Sequence, residues 1–384
     1  MNLLQSWDRH LNVSSLIINS LLMKRLVPGL ILIVLVSSCQ KSISDFIWER
    51  SYGTGEAFFI KTAPDSGFIA CGAVEGKPYF IRLKRNRSLN IDFKSDNPGL
   101  FSSAWFDTSG YIAAGNTNGK MLLMRYSAKG KKLWEKSLDG GFKIDYTNLF
   151  YTGDGDFLAI GTASPDSSDS GATGLLFERF DTTGQIISEK KTMETSFISA
   201  NNAVVDDEGN IFLALTRKYS GSKPRASVAK FNNLLQKFWE TDLYNNPEFG
   251  ASSLAIEPDG SGNIVVAGNT EVMANDGKLN NSFLVSLSGN GTINWKRYLE
   301  NSNFGAALVF NSTGDLMMLN RNCFIINIVN PADGIDAGKI QPFGLCDSYH
   351  TDSKGRGIGI NYDKNILVAG TRGGSFYLAL KSAL

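Results

Sequence analysis

The 384-residue chain carries 38 lysines and arginines against 37 aspartates and glutamates, a net charge of +1. This balance gives no electrostatic footprint for nucleic acid. The only two histidines are His10 and His350, so a histidine-rich metal site is excluded and Ser-His-Asp catalysis would have to use His350. We interpret His350, in a long polar connection, as a surface loop residue.

The first predicted element is a secretory leader over residues 1–38. Lys24 and Arg25 precede an apolar stretch that ends in small residues before Cys39, a pattern typical of a signal peptide. The stretch contains Pro28 and is too short to span a bilayer, although a single transmembrane helix is the alternative. We expect the true start at Met23.

Residues 36–39, Val-Ser-Ser-Cys, resemble the lipobox of bacterial lipoproteins. The resemblance implies cleavage before Cys39, acylation of Cys39 with diacylglycerol and palmitate, and a tether over residues 39–45. It implies a lipoprotein of the Bacteroidetes type, held at the outer membrane of a Gram-negative envelope through its lipid. The side of the membrane on which it lies stays open.

Residues 46–384 contain seven copies of one repeat. A turn and a small-residue strand begin near positions 67, 110, 155, 209, 262, 314 and 364, at steps of 43 to 54 residues. Each copy reads as four short strands between Gly, Asn and Asp turns, which is typical of an all-β repeat. This period with four strands per unit predicts a β-propeller; an open solenoid is the alternative.

A tryptophan-bearing strand ends four of the units, at Trp48, Trp134, Trp239 and Trp295. The strand at Trp48 precedes the first complete unit, and the last unit stops after three strands. Joining the two predicts a seven-bladed β-propeller whose last blade is closed by the N- and C-terminal strands, with no orphan edge. Six or eight blades would require a miscounted unit.

The glycine turn that precedes the tryptophan, in residues 128–134 and 288–295, resembles the repeat of quinoprotein-type (PQQ-like) propellers. Enzymes of that family carry a quinone site with adjacent cysteines and metal-ligand carboxylates. This chain has no adjacent cysteines, so the resemblance implies the non-enzymatic branch: lipoproteins that act as binding or assembly scaffolds, without a cofactor.

Three thiols remain after lipidation, at Cys71, Cys323 and Cys346. We expect Cys71 in a small-residue strand to be buried, and pairing of Cys323 with Cys346 stays open. The acidic turns lack the ligand series of a calcium loop, so no metal site is predicted.

Three consecutive units carry long loops between their second and third strands, at residues 162–173, 217–226 and 270–281. Equivalent loops of a propeller emerge on one face, and insertions on one face of a repeat array commonly bind a partner. We predict that Lys218, Tyr219, Arg225 and Asp276 contact that partner. Solvated insertions without function are the alternative.

The sequence therefore favours a non-catalytic scaffold that binds a protein or a glycan. The alternative is a polysaccharide hydrolase or lyase with carboxylates in the central funnel. Two inward carboxylates ~5–10 Å apart would favour the enzyme, whereas apolar and amide side chains would favour binding.

Overall fold

The computed structural model describes residues 46–384 except for the segments 64, 108, 119, 139–141, 153–154, 166–172, 195, 245–247, 275–276, 300–304, 322–323, 341–352 and 383–384. For residues 46, 138, 142 and 271–280 only the backbone is described. The chain divides into two units, Met1–Asp45 and Phe46–Leu384. The predicted leader, lipobox and tether, together with Asp276, Cys323, Cys346 and His350, therefore lie outside the described residues or side chains.

The described residues contain β-strands and no helix, as the repeat pattern predicts. Among them there is accordingly no helix able to cross a membrane. The first strand, β1 (Phe46–Thr62), is long, and it is followed by β2 (Phe68–Val74), β3 (Lys77–Leu83) and β4 (Leu89–Lys94).

Five sheets follow, each made of four consecutive antiparallel strands. Their strands are β5 (Gly99–Asp107), β6 (Gly110–Thr117), β7 (Lys120–Ser127) and β8 (Lys132–Leu138); β9 (Phe142–Tyr151), β10 (Phe157–Pro165), β11 (Gly174–Phe180) and β12 (Ile186–Met193); β13 (Phe197–Val205), β14 (Ile211–Lys218), β15 (Arg225–Phe231) and β16 (Lys237–Tyr244); β17 (Ala251–Pro258), β18 (Ile264–Ala274), β19 (Gly277–Leu287) and β20 (Ile293–Leu299); and β21 (Gly305–Phe310), β22 (Leu316–Asn320), β23 (Ile326–Val329) and β24 (Asp336–Ile340).

The last three strands, β25 (Lys354–Ile360), β26 (Ile366–Arg372) and β27 (Ser375–Lys381), join the first four in one seven-stranded sheet. Its order is β25-β26-β27-β1-β2-β3-β4, because β1 serves two partners. The first half of β1 pairs with β27, for example Trp48 with Leu380, and the second half pairs with β2. The pairing predicted between the first tryptophan strand and the last strand is therefore present.

Every first strand of a repeat contains a β-bulge at the same point of its pairing with the second strand. The bulged residues of β1, β5, β9, β13, β17, β21 and β25 are Phe58, Ser102, Thr147, Asn201, Leu254, Ala306 and Arg356. A bulge adds one unpaired residue and bends its strand. The common position therefore turns all seven strands in the same way and sets which of their side chains share a level.

Apolar side chains pack between consecutive sheets. One cluster joins Leu123 of β7 to Leu149 of β9, another joins Phe177 of β11 to Leu213 of β14, and the remaining clusters repeat this arrangement. A further cluster joins Ala57 of β1 to Leu378 of β27. The small side chains of the second strands are buried; among them Cys71 has no exposed surface, as predicted, and burial raises the pKa of its thiol.

The outer-strand tryptophans contact the turn of the following sheet. The indole Nε1 of Trp134 donates to the carbonyl of Thr182 at 2.8 Å, and that of Trp239 donates to the carbonyl of Gly289 at 3.1 Å. A Cβ added to Gly291 would lie only 2.8 Å from the Trp239 ring. The glycine thus leaves room for the ring, which fills space between the two sheets.

Candidate functional site

Three of the four predicted partner-binding residues lie together at the β14–β15 hairpin. Tyr219 is 44% exposed, and the Arg225 guanidinium carbon lies 5.3 Å from the centroid of its ring. Arg225 also lies 3.9 Å from a carboxylate oxygen of Asp242, while Lys218 is exposed at the end of β14. The structure does not describe the fourth residue, Asp276.

A buried arginine fixes the base of this hairpin. Arg217, the cross-strand partner of Arg225, is buried and forms ion pairs with Glu194 and Glu240. Burial opposes ionisation of Glu240, but the Arg217 hydrogen bond and charge prevail and lower the pKa of its carboxyl. Because a buried charge must be paired, this network holds the strand ends that present Tyr219 and Arg225.

A second aromatic pair extends the surface onto the next sheet. Tyr244 is the cross-strand partner of Ala226, the neighbour of Arg225, and its ring lies 6.4 Å from that of Tyr298. The Lys296 ammonium lies 4.7 Å from the Tyr244 centroid and 5.3 Å from that of Tyr298, which is 47% exposed. We name Tyr219, Arg225, Tyr244, Lys296 and Tyr298 the hairpin patch.

The predicted loop at residues 270–281 is instead mostly strand, and the prediction is wrong there. The pairing of β18 with β19 continues from Thr270 and Asn281 to Ala274 and Gly277. The polar residues of this segment suggest a loop. The backbone N–H and C=O groups nevertheless pair across the hairpin, because this pairing does not depend on the side chains. Residues 217–226 shorten likewise, because β14 and β15 include Lys218 and Arg225. β10 reaches Pro165, and residues 166–172 lie outside the description.

A central cavity of about 210 Å³ lies where the first strands of the repeats meet. Its lining comes from β1, β5, β9, β13, β17, β21 and β25. The lining surface is polar and apolar in about equal parts, with the aromatic rings of Trp105 and Phe150 and the amides of Asn148 and Asn202. Among the lining residues Glu257 is the one carboxylate, and Lys61 and Arg356 are the cations.

Lys61 and Glu257 are partly buried charged residues of this lining. Burial lowers the pKa of Lys61 to about 8, partly opposed by the charge of Glu257. Burial likewise raises the pKa of Glu257 to about 7, partly opposed by Lys61. The Lys61 ammonium lies 3.2 Å from the centroid of the Trp105 ring, a cation–π contact.

Arg356 is the third charged residue of the cavity lining and lies at the bulge of its strand, not three residues after it. It is the bulged residue of β25, forms an ion pair with Glu56 and lies 5.4 Å from the Phe58 ring. Its charge is therefore already in a direct ion pair, whereas Lys61 forms none among the described residues. No group of three metal-binding side chains occurs among the described residues.

Sequence reasoning missed Lys61, Trp105 and Glu257. Each lies three residues after the bulged residue of its strand. The equivalent positions of β9 and β13 are occupied by Phe150 and Val204. A charged residue at a level that is otherwise apolar or aromatic was the signal available. The hairpin patch had a weaker signal, the tyrosines that follow the tryptophans of β16 and β20.

The chain matches no protein-family profile and no curated protein sequence. It resembles solved structures at low identity: a streptogramin B lyase (13% identity, 87% of this chain and 98% of that one, TM-score 0.57) and YCF48 bound to D1 peptide (9%, 88% and 97%, 0.55). A GH93 α-L-arabinofuranosidase of Fusarium graminearum with arabinobiose is similar too (12%, 74% and 92%, 0.52). These neighbours are β-propeller proteins, and the chain accordingly has the fold of a β-propeller built from repeated four-stranded sheets.

Proposed function

We propose that the chain is a seven-bladed β-propeller of a bacterial lipoprotein, anchored to the outer membrane through Cys39, that binds a protein partner without catalysing a reaction. The hairpin patch is the proposed binding surface. It places three tyrosines, an arginine and a lysine on neighbouring hairpins and strands. Tyrosine and arginine are enriched at protein interfaces and among the residues that dominate binding energy.

The strand arrangement supports seven blades and a closed ring. Seven first strands line one cavity, and β1 belongs at once to the first and to the last four-stranded group. The tryptophan contacts with the following turn support a repeat of the quinoprotein type. The anchor rests on residues 36–39 of the sequence.

The lining of the central cavity supports binding over catalysis. A glycosidase of the usual kind needs two carboxylates about 5–10 Å apart, and Glu257 is the one carboxylate among the lining residues described. The fold itself hosts both activities, since a lyase, an arabinofuranosidase and a peptide complex are among its neighbours. Function therefore has to be argued from the site.

Affinity capture from envelope extract tests the binding surface. Wild type is compared with the triple variant Tyr219→Ala, Arg225→Ala, Tyr298→Ala. Tyr362→Ala is the matched control, because Tyr362 is 64% exposed and lies in the turn between β25 and β26. We expect the partner to be lost from the triple variant and kept by the control. Recovery of the same partner with the triple variant would show that the patch is not the binding surface.

Two further measurements separate the remaining parts of the proposal. Capture that survives protease treatment of the extract, together with binding of this protein to a glycan array, would show that the ligand is a glycan rather than a protein. Globomycin treatment should accumulate an unprocessed precursor, and Cys39→Ala should release the protein from the membrane fraction. A precursor that fails to accumulate would contradict the lipid anchor without affecting the binding surface.

A further inference from the structure

The central cavity holds a cation, Lys61, and an anion, Glu257, whose charges act on each other without forming a direct ion pair. Lys61 forms no ion pair among the described residues, and neither does Glu257. Taking a charge out of water without a partner is costly. Both residues line the cavity, so a molecule bound there can supply each with a partner.

The two groups lie on different walls of the cavity at the same level. β1 and β17 are separated in the lining by β5, β9 and β13 on one side and by β21 and β25 on the other. Lys61 and Glu257 each follow the bulged residue of their strand by three positions. Opposite charges therefore face each other across the cavity rather than joining in one pair.

Uncharged side chains also line the cavity beside the two charged ones. The side-chain oxygen of Asn148, one of the lining residues, is buried and has no hydrogen-bond partner among the described residues. Trp105 holds the Lys61 ammonium by its ring face, and an ammonium has three N–H groups. Hydrogen-bond donors of Lys61 thus stay available while its position is fixed.

Size and charge restrict what can bind. A cavity of about 210 Å³ is somewhat larger than engineered cavities of roughly 150 Å³ that bind benzene, which suits a small metabolite. A purely anionic ligand would meet Glu257, and a purely cationic one would meet Lys61. A neutral polyol would leave both buried charges without a counter-charge, which disfavours it.

We propose that the central cavity binds a small zwitterion of the amino-acid class, with its carboxylate at Lys61 and its ammonium at Glu257. The ring of Phe150, another lining residue, covers the carbon skeleton. This site is separate from the hairpin patch and needs no partner protein. The inference therefore stands or falls independently of the proposed binding surface.

Calorimetric titration of the whole mature protein tests the proposal. The probes are glycine, β-alanine, 4-aminobutyrate and glycylglycine, with propionate and propylamine as singly charged controls. We expect at least one zwitterion to bind, and both single-charge controls to bind at least about tenfold more weakly. Comparison of the four zwitterions measures the charge separation that the two walls accept.

Variants assign the two charges. Lys61→Met and Glu257→Gln should each weaken binding of that zwitterion about thirtyfold or more, as expected for loss of one partner of a buried charge pair. Lys129→Met, in an exposed turn, should bind as wild type does. Circular dichroism of each variant separates loss of binding from loss of folding. If Lys61→Met does not fold, Lys61→Gln takes its place.

Three results would overturn the proposal. The first is that none of the four zwitterions binds wild type at millimolar concentration. The second is that propionate binds as tightly as the zwitterions and Glu257→Gln has no effect, which would make the cavity an anion site. The third is binding that persists in both folded variants, which would place the site elsewhere.

Discussion

Replacement of Gly291 by alanine tests whether the tryptophan contacts hold neighbouring sheets together. Gly291 has φ +86°, and a Cβ there would lie 2.8 Å from the Trp239 ring and 3.1 Å from Thr241 Oγ1. Gly262, in the same sheet, has the same φ of +86°, but a Cβ there meets nothing within 4 Å. The pair therefore differs in the contact and not in φ.

The expected magnitudes follow from that difference. An alanine in the left-handed region costs about 1–2 kcal/mol, and the entropy that a glycine-to-alanine change removes from the unfolded chain is common to both variants. Gly291→Ala also has to displace an aromatic ring, and overpacking of this kind costs about 1–3 kcal/mol. We expect Gly291→Ala to lower the free energy of unfolding by that additional amount relative to Gly262→Ala.

Equilibrium unfolding in urea, followed by circular dichroism and by fluorescence, measures both free energies provided that the two probes coincide. A Trp239→Ala background supplies the decisive control, because the additional cost of Gly291→Ala should disappear once the ring is gone. Equal costs for Gly291→Ala and Gly262→Ala in the wild-type background would refute the reasoning. So would an additional cost that remains without the tryptophan.

The other predictions concern single side chains. Trp134→Ala should lower the free energy of unfolding, measured in urea, by about 3 kcal/mol. This is the lower end for a tryptophan truncation, because the ring is only partly buried. A loss below about 1 kcal/mol would contradict its role between sheets. Arg217→Met should cost about 3–5 kcal/mol because two carboxylates lose their buried partner. Arg225→Met should cost less than about 1 kcal/mol, because Arg225 is only partly buried and lies 3.9 Å from Asp242; equal costs would disprove the role of burial. Glu257→Gln should remove a pH dependence. Because burial raises the pKa of Glu257 from 4.5 to about 7, the folded state keeps a proton that the unfolded state releases, and wild-type stability falls as pH rises through that window. The fall should be smaller in Glu257→Gln by up to about 3 kcal/mol; parallel pH profiles would contradict the buried carboxyl.

Local residue patterns were sufficient to predict the strands, because strand period and turn chemistry act over a few residues. Gly291 and its equivalents mark the turns, and the small residues around Cys71 mark a buried strand. The same signals failed at residues 270–281, where polar side chains sit on a paired hairpin. There the backbone hydrogen bonds outweigh side-chain polarity.

The cavity could not be predicted in the same way. Lys61, Trp105 and Glu257 come from three different repeats, and only the way the sheets are arranged in space places them in one lining. The bulges that set their level carry no residue signature, since their positions hold residues as different as Phe58, Ser102 and Arg356. Comparison of repeats position by position would have found the charges but not their common cavity.

The shared strand β1 has a mechanical consequence. A pulling force applied through the residues that precede Phe46 acts first on the pairing of β1 with β27. Glu49 reinforces this pairing, because its carboxylate accepts hydrogen bonds from Arg372 Nη1 and from the Tyr377 hydroxyl, each at 2.6 Å. The same strand continues into its pairing with β2, so tension is divided between two four-stranded groups instead of peeling one edge strand from the end of the chain.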